Sequence, residues 1–162
     1  MASNDIDTIV AISTPRGTGG ISIVRLSGYD IEQFCEHLFS AKLVPKRALF
    51  KRFLDSKKMV IDEGIAIYFP SPESFTGECV LELHCHGGHV ITDMIVTRCL
   101  ELGARMARPG EFTERAFLNG KLDLAQAEGI SDLINASSKS AARSASKSMQ
   151  GEFSFQVREI VE

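Results

Sequence analysis

The sequence predicts an α/β (α+β) fold, with a mixed sheet followed by one long helix. Short β-branched runs alternate with glycine- and proline-containing turns and short helical patterns up to about residue 118. From Asp123 onward, apolar residues recur at helical spacing for about 40 residues. The 162 residues, 44% of them hydrophobic, suffice for one packed domain with an appendage. We therefore expect one domain followed by a long helix that begins at Asp123.

The composition bounds the classes of partner and compartment. Lys and Arg number 18 against 21 Asp and Glu, a formal net charge of −3, so any contact with RNA must be local. The N-terminus lacks a basic leader and no apolar run reaches about 18 residues, so we expect a cytoplasmic protein without a membrane span. The four cysteines form no C-x-x-C pair, which favours free, mostly buried thiols over a zinc site.

The first half of the chain reads as strands around one short helix. Residues 8–13 and 21–26 are predicted strands, joined by the turn TPRGTGG, which lacks a phosphate-binding loop motif. A helix is predicted near residues 29–40, then a hairpin of strands 48–54 and 60–69. Alternation places Arg25 on the same strand face as Ile21 and Ile23. A half-buried arginine needs a partner, so Arg25 is either a structural ion pair or a ligand clamp.

Residues 79–86, CVLELHCH, form a strand with one apolar and one polar face. Leu81, Leu83 and Cys85 point one way, whereas Glu82, His84 and His86 point the other way. A carboxylate in mid-strand is costly unless it is paired, which makes Glu82 the strongest site candidate, although a solvated strand face fits the pattern equally well. The run HCHGGH suggests a metal site, but His84 and Cys85 lie on opposite faces and no H-E-x-x-H motif completes it.

The last third is predicted to be helical on both sides of a junction. Helices are expected at residues 89–102 and 111–118, with an extended piece at 104–107, and Asp123 with Gln126 forms a capping-box pattern. Lys121 lies between two helices, where it could contact a ligand. The spacing alone favours a simpler role at the carbonyl end of the preceding helix. The helical pattern runs to residue 162 without a C-cap, so we expect a longer parent protein.

Three stretches carry a resemblance to a known family: DTIVAISTPRGTGGISIVRLSG, PSPESFTGECVLELHCHGG and RPGEFTERAFLNGKLDLAQAEGISDLINAS. They resemble the N-terminal part of the MnmE (TrmE) family of bacterial tRNA-modifying GTPases. The resemblance implies a folate-binding and dimerisation domain over residues 1–118, followed by the start of a helical domain over residues 119–162. The first domain would have a fold like the tetrahydrofolate-binding domain of folate-dependent aminomethyltransferases and dimethylglycine oxidase. It also implies a homodimer that binds 5-formyl- or 5,10-methylene-tetrahydrofolate. The family's folate contacts fall on Arg25, Glu82 and Lys121.

For the parent protein, the resemblance implies a carboxymethylaminomethyl-type modification at C5 of the tRNA wobble uridine, made with the FAD-dependent partner MnmG. GTP, Mg²⁺ and K⁺ would bind only in a G domain outside these residues, so no catalytic residue is expected here. The sequence departs from the family pattern at His84, Cys85 and His89. The alternatives are a ligand-free interaction and dimerisation module and, from the run HCHGGH, a small metal-dependent hydrolase.

Overall fold

A computed structural model describes residues 7–15 and 17–152. The chain divides into two compact units, Met1–Gly110 and Glu111–Glu162. The described part of the first unit contains six strands and two helices. In chain order these are β1 (Ile9–Ile12), β2 (Gly19–Gly28), α1 (Glu32–Phe39), β3 (Leu49–Leu54), β4 (Val60–Phe69), β5 (Cys79–Gly87), α2 (His89–Glu101) and β6 (Arg105–Met106).

The strands form one six-stranded sheet in the order β3-β4-β5-β2-β1-β6. Strands β1 and β6 are parallel and all other neighbours are antiparallel, so the predicted mixed sheet is confirmed. The predicted β3–β4 hairpin is confirmed as well. At its turn the Asp55 carboxylate accepts hydrogen bonds from the backbone N–H groups of Lys57 and Met59, both at 2.8 Å, which explains an aspartate at that position.

One face of the sheet, called the core face here, carries Val24 and Leu26 of β2 together with Leu81 and Leu83 of β5. All four side chains have no exposed surface. Burial of a side chain of this kind contributes about 1.5–3 kcal/mol. Both α1 and α2 pack on this face. The helix side chains in the core cluster are Phe34, Cys35, Leu38, Phe39, Ile95, Val96 and Cys99.

The second unit begins with α3 (Glu111–Leu118) and continues with α4 (Leu124–Asn135) and α5 (Lys139–Met149). Gly120 follows α3 with a φ of 68°, a left-handed conformation that favours glycine. The predicted capping box opens α4. The Asp123 carboxylate accepts from the Gln126 backbone N–H, and the Gln126 side chain accepts from the Asp123 backbone N–H, both at 2.9 Å.

The predicted long helix from Asp123 is wrong, because the chain breaks it between α4 and α5. Ala136 leaves the helix with a ψ of 120°, and Ser138 caps α5 by accepting from the Ala141 N–H at 3.1 Å. Serine side chains compete for backbone hydrogen bonds and favour caps over helix interiors. The two helices then pack on each other, so close at Gly129 that an added Cβ would lie 2.8 Å from the Met149 nitrogen. The predicted helical positions Phe153, Val157 and Ile160 lie outside the described residues.

Candidate polar site on the open face of the sheet

The second face of the sheet, called the open face here, carries Arg25 of β2 with Glu82 and His84 of β5. Arg25 lies directly across from Glu82, and Ala11 and Ile67 extend this row on the outer strands. His84 lies in the next row of the same face, between Ile23 and Ile65. The alternation predicted for both strands is therefore confirmed, and three polar side chains lie within an aliphatic surface.

The structure brings the two predicted residues of the first unit together as an ion pair. Nε and Nη2 of Arg25 both contact Oε1 of Glu82, at 3.0 and 2.8 Å. The other oxygen, Oε2, lies 3.2 Å from Nε2 of His84. The Arg25 and Glu82 side chains are 27% and 16% exposed, so the pair is half-buried. Because both arginine nitrogens converge on Oε1, Oε2 is the oxygen with room for a further donor.

A loop beside the open face covers the arginine. The Phe75 ring, from the segment between β4 and β5, lies 5.8 Å from the guanidinium carbon of Arg25, within cation–π range. The loop is fastened to β2 by buried hydrogen bonds. The Ser27 hydroxyl lies 2.6 Å from that of Thr76 and donates to Glu78 Oε2 at 2.7 Å. The sequence analysis did not identify these residues. The available signal was that Ser27, two residues after Arg25, lies on the same strand face.

Near the end of β5, His86 pairs with Asp62 of the neighbouring strand β4. The backbone N–H and the ring Nδ1 of His86 lie 2.8 Å from the two Asp62 carboxylate oxygens. Burial raises the pKa of Asp62. The hydrogen bonds from His86 and from the Glu63 backbone outweigh that effect and hold the pKa below its usual 3.8. The imidazole is 73% exposed, so the pair fixes the strand end while its ring faces water.

The thiols and imidazoles near the glycine turn do not converge. Among the residues that the structure describes, no group of three or more His, Cys, Asp or Glu side chains could hold a metal ion. His84 lies on the open face, whereas Cys85 is buried in the core, where burial raises its thiol pKa to about 11. Opposite strand faces therefore separate the potential ligands of the HCHGGH run.

Lys121 belongs to the second unit and lies in the link between α3 and α4. It is an exposed residue. Its backbone N–H donates to the Ala116 carbonyl at 2.8 Å, and the Leu122 N–H reaches the same carbonyl at 3.3 Å. Backbone N–H groups thus satisfy this carbonyl at the end of α3. The simpler role expected from the sequence was that the Lys121 side chain would interact with the carbonyls at this helix end.

Comparison with known proteins agrees with the resemblance. Residues 8–121 match the sequence model described as GTP-binding protein TrmE N-terminus. The chain is 56% identical over 162 residues to the tRNA modification GTPase MnmE of Methylococcus capsulatus, covering all of this chain and 36% of that protein. Identity is 57% to the protein of the same name from Nitrosomonas eutropha and 58% to that of Pseudomonas aeruginosa, each covering 96% of this chain and 34% of the relative.

Within the described residues, no helix is both long and apolar enough to cross a membrane. The chain spans about a third of the length of the curated relatives that it matches. The family match covers most of the chain and includes both strands of the polar site. This chain belongs to the family of the TrmE N-terminal domain.

Proposed function

We propose that this chain is the folate-binding, dimerising N-terminal module of a GTPase that modifies C5 of the tRNA wobble uridine. The observation that carries the proposal is the Arg25–Glu82–His84 cluster, which places a paired but accessible carboxylate within an aliphatic sheet face. The names of the relatives, tRNA modification GTPase, support the role of the parent protein. The mixed sheet would act as a tetrahydrofolate-binding domain.

A pterin ring fits the chemistry of this cluster. The ring offers a ring N–H and an exocyclic amino group side by side, and Oε2 of Glu82 would accept a hydrogen bond from one of these donors. Arg25 holds Glu82 in place through two contacts to Oε1, and Oε2 lies towards His84. Ile23 and Ile67 flank the cluster, so a flat ring would meet apolar neighbours around its polar edge. The bound group would be 5-formyl- or 5,10-methylene-tetrahydrofolate, which supplies the one-carbon unit.

Lys121 is proposed as the third folate contact. The family correspondence assigns it this role, and an ammonium group suits the carbonyl or glutamate oxygens of the ligand. The backbone N–H of Lys121, which a side-chain substitution leaves in place, donates to the Ala116 carbonyl at the end of α3. Lys121→Gln should therefore weaken folate binding without unfolding α3, as followed by calorimetry and circular dichroism. Unchanged affinity would remove Lys121 from the site.

Calorimetric titration with 5-formyltetrahydrofolate tests the proposal. Wild-type protein should bind saturably, and Glu82→Gln should weaken binding at least about tenfold, because hydrogen bonds to a charged group contribute about 1.5–3 kcal/mol. Glu63→Gln is the matched control, since that carboxylate is 43% exposed and pairs with Arg52 on the hairpin. A folded wild-type protein that releases no binding heat, or equal losses in both variants, would contradict a folate site at Glu82.

A homodimer is the second part of the proposal. Phe50 of β3 is 69% exposed and lies across from Ile65 of β4, which is 40% exposed, so the open face continues as an apolar surface. Exposed apolar patches of this kind mark interaction surfaces. Sedimentation analysis at high protein concentration should detect a dimer, and a strict monomer would refute this part. A dimer that binds no folate would favour the alternative, a ligand-free interaction module.

The remaining activities belong to the parent protein. It would add a carboxymethylaminomethyl-type group together with the FAD-dependent partner MnmG, and GTP, Mg²⁺ and K⁺ would bind in a G domain outside these residues. Modification of tRNA by the full-length protein carrying Glu82→Gln, compared with its GTP hydrolysis, tests this assignment. We expect modification to fall while GTP hydrolysis persists. Equal loss of both activities would place Glu82 outside a dedicated one-carbon site.

A further inference from the structure

Helix α5 carries a concentrated positive charge in an otherwise acidic chain. Residues 136–151 contain Lys139, Arg143 and Lys147 but no aspartate or glutamate, whereas the whole chain has a formal net charge of −3. The adjacent helix α4 contains Glu128 and Asp132 and no cation. The two helices therefore separate their charges, with the negative ones on α4 and the positive ones on α5.

The three cations share the outer face of α5. They recur every fourth residue, which places them about 6 Å apart along the axis with a rotation of about 40° at each step. Ala145 is buried and Met149 is half-buried on the opposite side, where α5 packs on α4. All three cations are exposed, and the Lys147 side chain is 67% exposed. We call the surface formed by Lys139, Ser140, Arg143, Ser144 and Lys147 the basic face of α5.

Acidic side chains do not neutralise this face within the residues that the structure describes. Lys139 and Arg143 form no ion pair there, and Lys147 has a single contact, with Glu152 at 3.6 Å. Arginines of the first unit differ in this respect. Arg25, Arg52 and Arg98 pair with Glu82, Glu63 and Glu101 at 2.6–3.0 Å. Among the described residues, Lys139 and Arg143 are thus available to an external anion without loss of an ion pair, and Lys147 would give up only its 3.6 Å contact with Glu152.

We propose that the basic face of α5 binds the phosphate backbone of tRNA. A row of regularly spaced cations with serine hydroxyls between them matches the groups that contact phosphates in nucleic-acid complexes. An anionic membrane surface is the less suitable partner, since the face offers no apolar side chain for insertion. The inference rests on the proposed role in tRNA modification, which supplies the polyanion, and it assigns a docking surface that shares no residue with the polar site of the sheet.

The test measures binding of fluorescently labelled tRNA by anisotropy at several salt concentrations. The α5 variant combines Lys139→Gln, Arg143→Gln and Lys147→Gln. The control variant combines Lys51→Gln, Arg52→Gln and Lys58→Gln, which remove the same charge from the β3–β4 hairpin. Glutamine retains high helix propensity, so circular dichroism of the α5 variant should match that of wild type.

We expect the α5 variant to bind tRNA at least about tenfold more weakly at 50 mM salt than wild type does. The slope of log affinity against log salt should lose about two to three units, because each phosphate contact contributes about 0.9. The control variant should lose clearly less. Wild-type affinity in the α5 variant, or equal losses in both variants, would overturn the inference. Equally strong α5-dependent binding to phosphatidylserine vesicles would also overturn it, by showing a general polyanion surface.

Folate titration of the same variants separates this inference from the proposed function. The α5 variant should bind 5-formyltetrahydrofolate as wild type does, because its substitutions lie outside the Arg25–Glu82–His84 cluster. Loss of tRNA binding with intact folate binding supports both statements. Intact folate binding with unchanged tRNA binding refutes only the surface on α5, and absent folate binding in the wild type refutes the folate site without changing the tRNA result.

Discussion

The two faces of the same sheet carry opposite chemistry on neighbouring residues. On β2 and β5, Val24 and Leu83 are fully buried under the helices, whereas Arg25 and Glu82 form a half-buried ion pair on the open face. Covering one face with α1 and α2 supplies the stabilising burial, and the other face holds charged groups that a core could not accommodate. Substitutions on the core face should therefore change stability, and those on the open face should change binding.

The largest effect on stability is expected at the core face. Leu83→Ala should lower the free energy of unfolding by about 2–5 kcal/mol, since it removes a fully buried side chain and leaves a cavity. Urea denaturation measures this change. Ile65→Ala, at a position 40% exposed on the open face, is the comparison and should cost clearly less. Similar losses at both positions would remove the distinction between the faces.

A smaller loss is expected when the ion pair is broken. Arg25→Gln removes two contacts to Oε1 and leaves the Glu82 carboxylate with His84, so unfolding should become easier by about 1–3 kcal/mol. The pair is partly solvated, which keeps the loss below that of a fully buried charge. Urea denaturation compared with Leu83→Ala should show this order. A variant more stable than wild type would mean that the pair is kept at the expense of stability.

The sequence predicted part of the polar site but not the contact within it. Period-two alternation located the strands, placed Arg25 on the face of Ile21 and Ile23, and placed Glu82 on a polar face, because alternation depends only on neighbouring residues. The pairing itself required the strand order, in which β2 lies beside β5 although 57 positions separate the two residues. Register and strand order come from long-range packing, so the contact could not be derived locally. The cover from Phe75 depends on the same long-range placement.

In the second unit, the sequence predicted a helix start correctly but missed a helix break. The capping box at Asp123 was predicted, since it involves residues three apart. The break before Ser138 was missed because the segment contains no proline or glycine and its alanines fit a helix. Packing of α4 on α5 stabilises two separate helices over a single continuous one. Serine in place of an apolar residue at positions 137 and 138 was the available signal.

A smaller change in stability is expected at low pH, where the Asp62 carboxylate is protonated. The pKa of Asp62 is lower in the folded protein than its usual 3.8, so its contacts with His86 stabilise the fold above that pH. This stabilisation is lost as the pH falls through the folded pKa. Asp62→Asn should therefore differ most from wild type above pH 3.8, and the difference should shrink as the pH falls below 3.8 through the lowered pKa of the folded state. Thermal unfolding across pH measures the difference. A constant difference would exclude an effect of the carboxylate charge.

The smallest expected effect concerns the thiols. Burial, aided by the charge of Glu32, raises the pKa of Cys35 to about 12, and burial raises that of Cys99 to about 12. Thiolate is the reactive form, so these two residues should resist alkylation at pH 8 in the folded protein. Cys79 is only half-buried and should react first. Peptide mapping after a short iodoacetamide pulse checks the order, and rapid labelling of Cys99 would contradict the closed core.

Nuclear magnetic resonance titration of labelled protein with 5-formyltetrahydrofolate tests the central claim most directly. The Nε–H signal of Arg25 reports on the Glu82 contact itself, since Nε lies 3.0 Å from Oε1. We predict saturable shifts of that signal and of the backbone signals of Glu82 and His84, with smaller changes in α1. Shifts confined to other parts of the chain, with the Arg25 signal unmoved at saturation, would contradict a folate site on the open face.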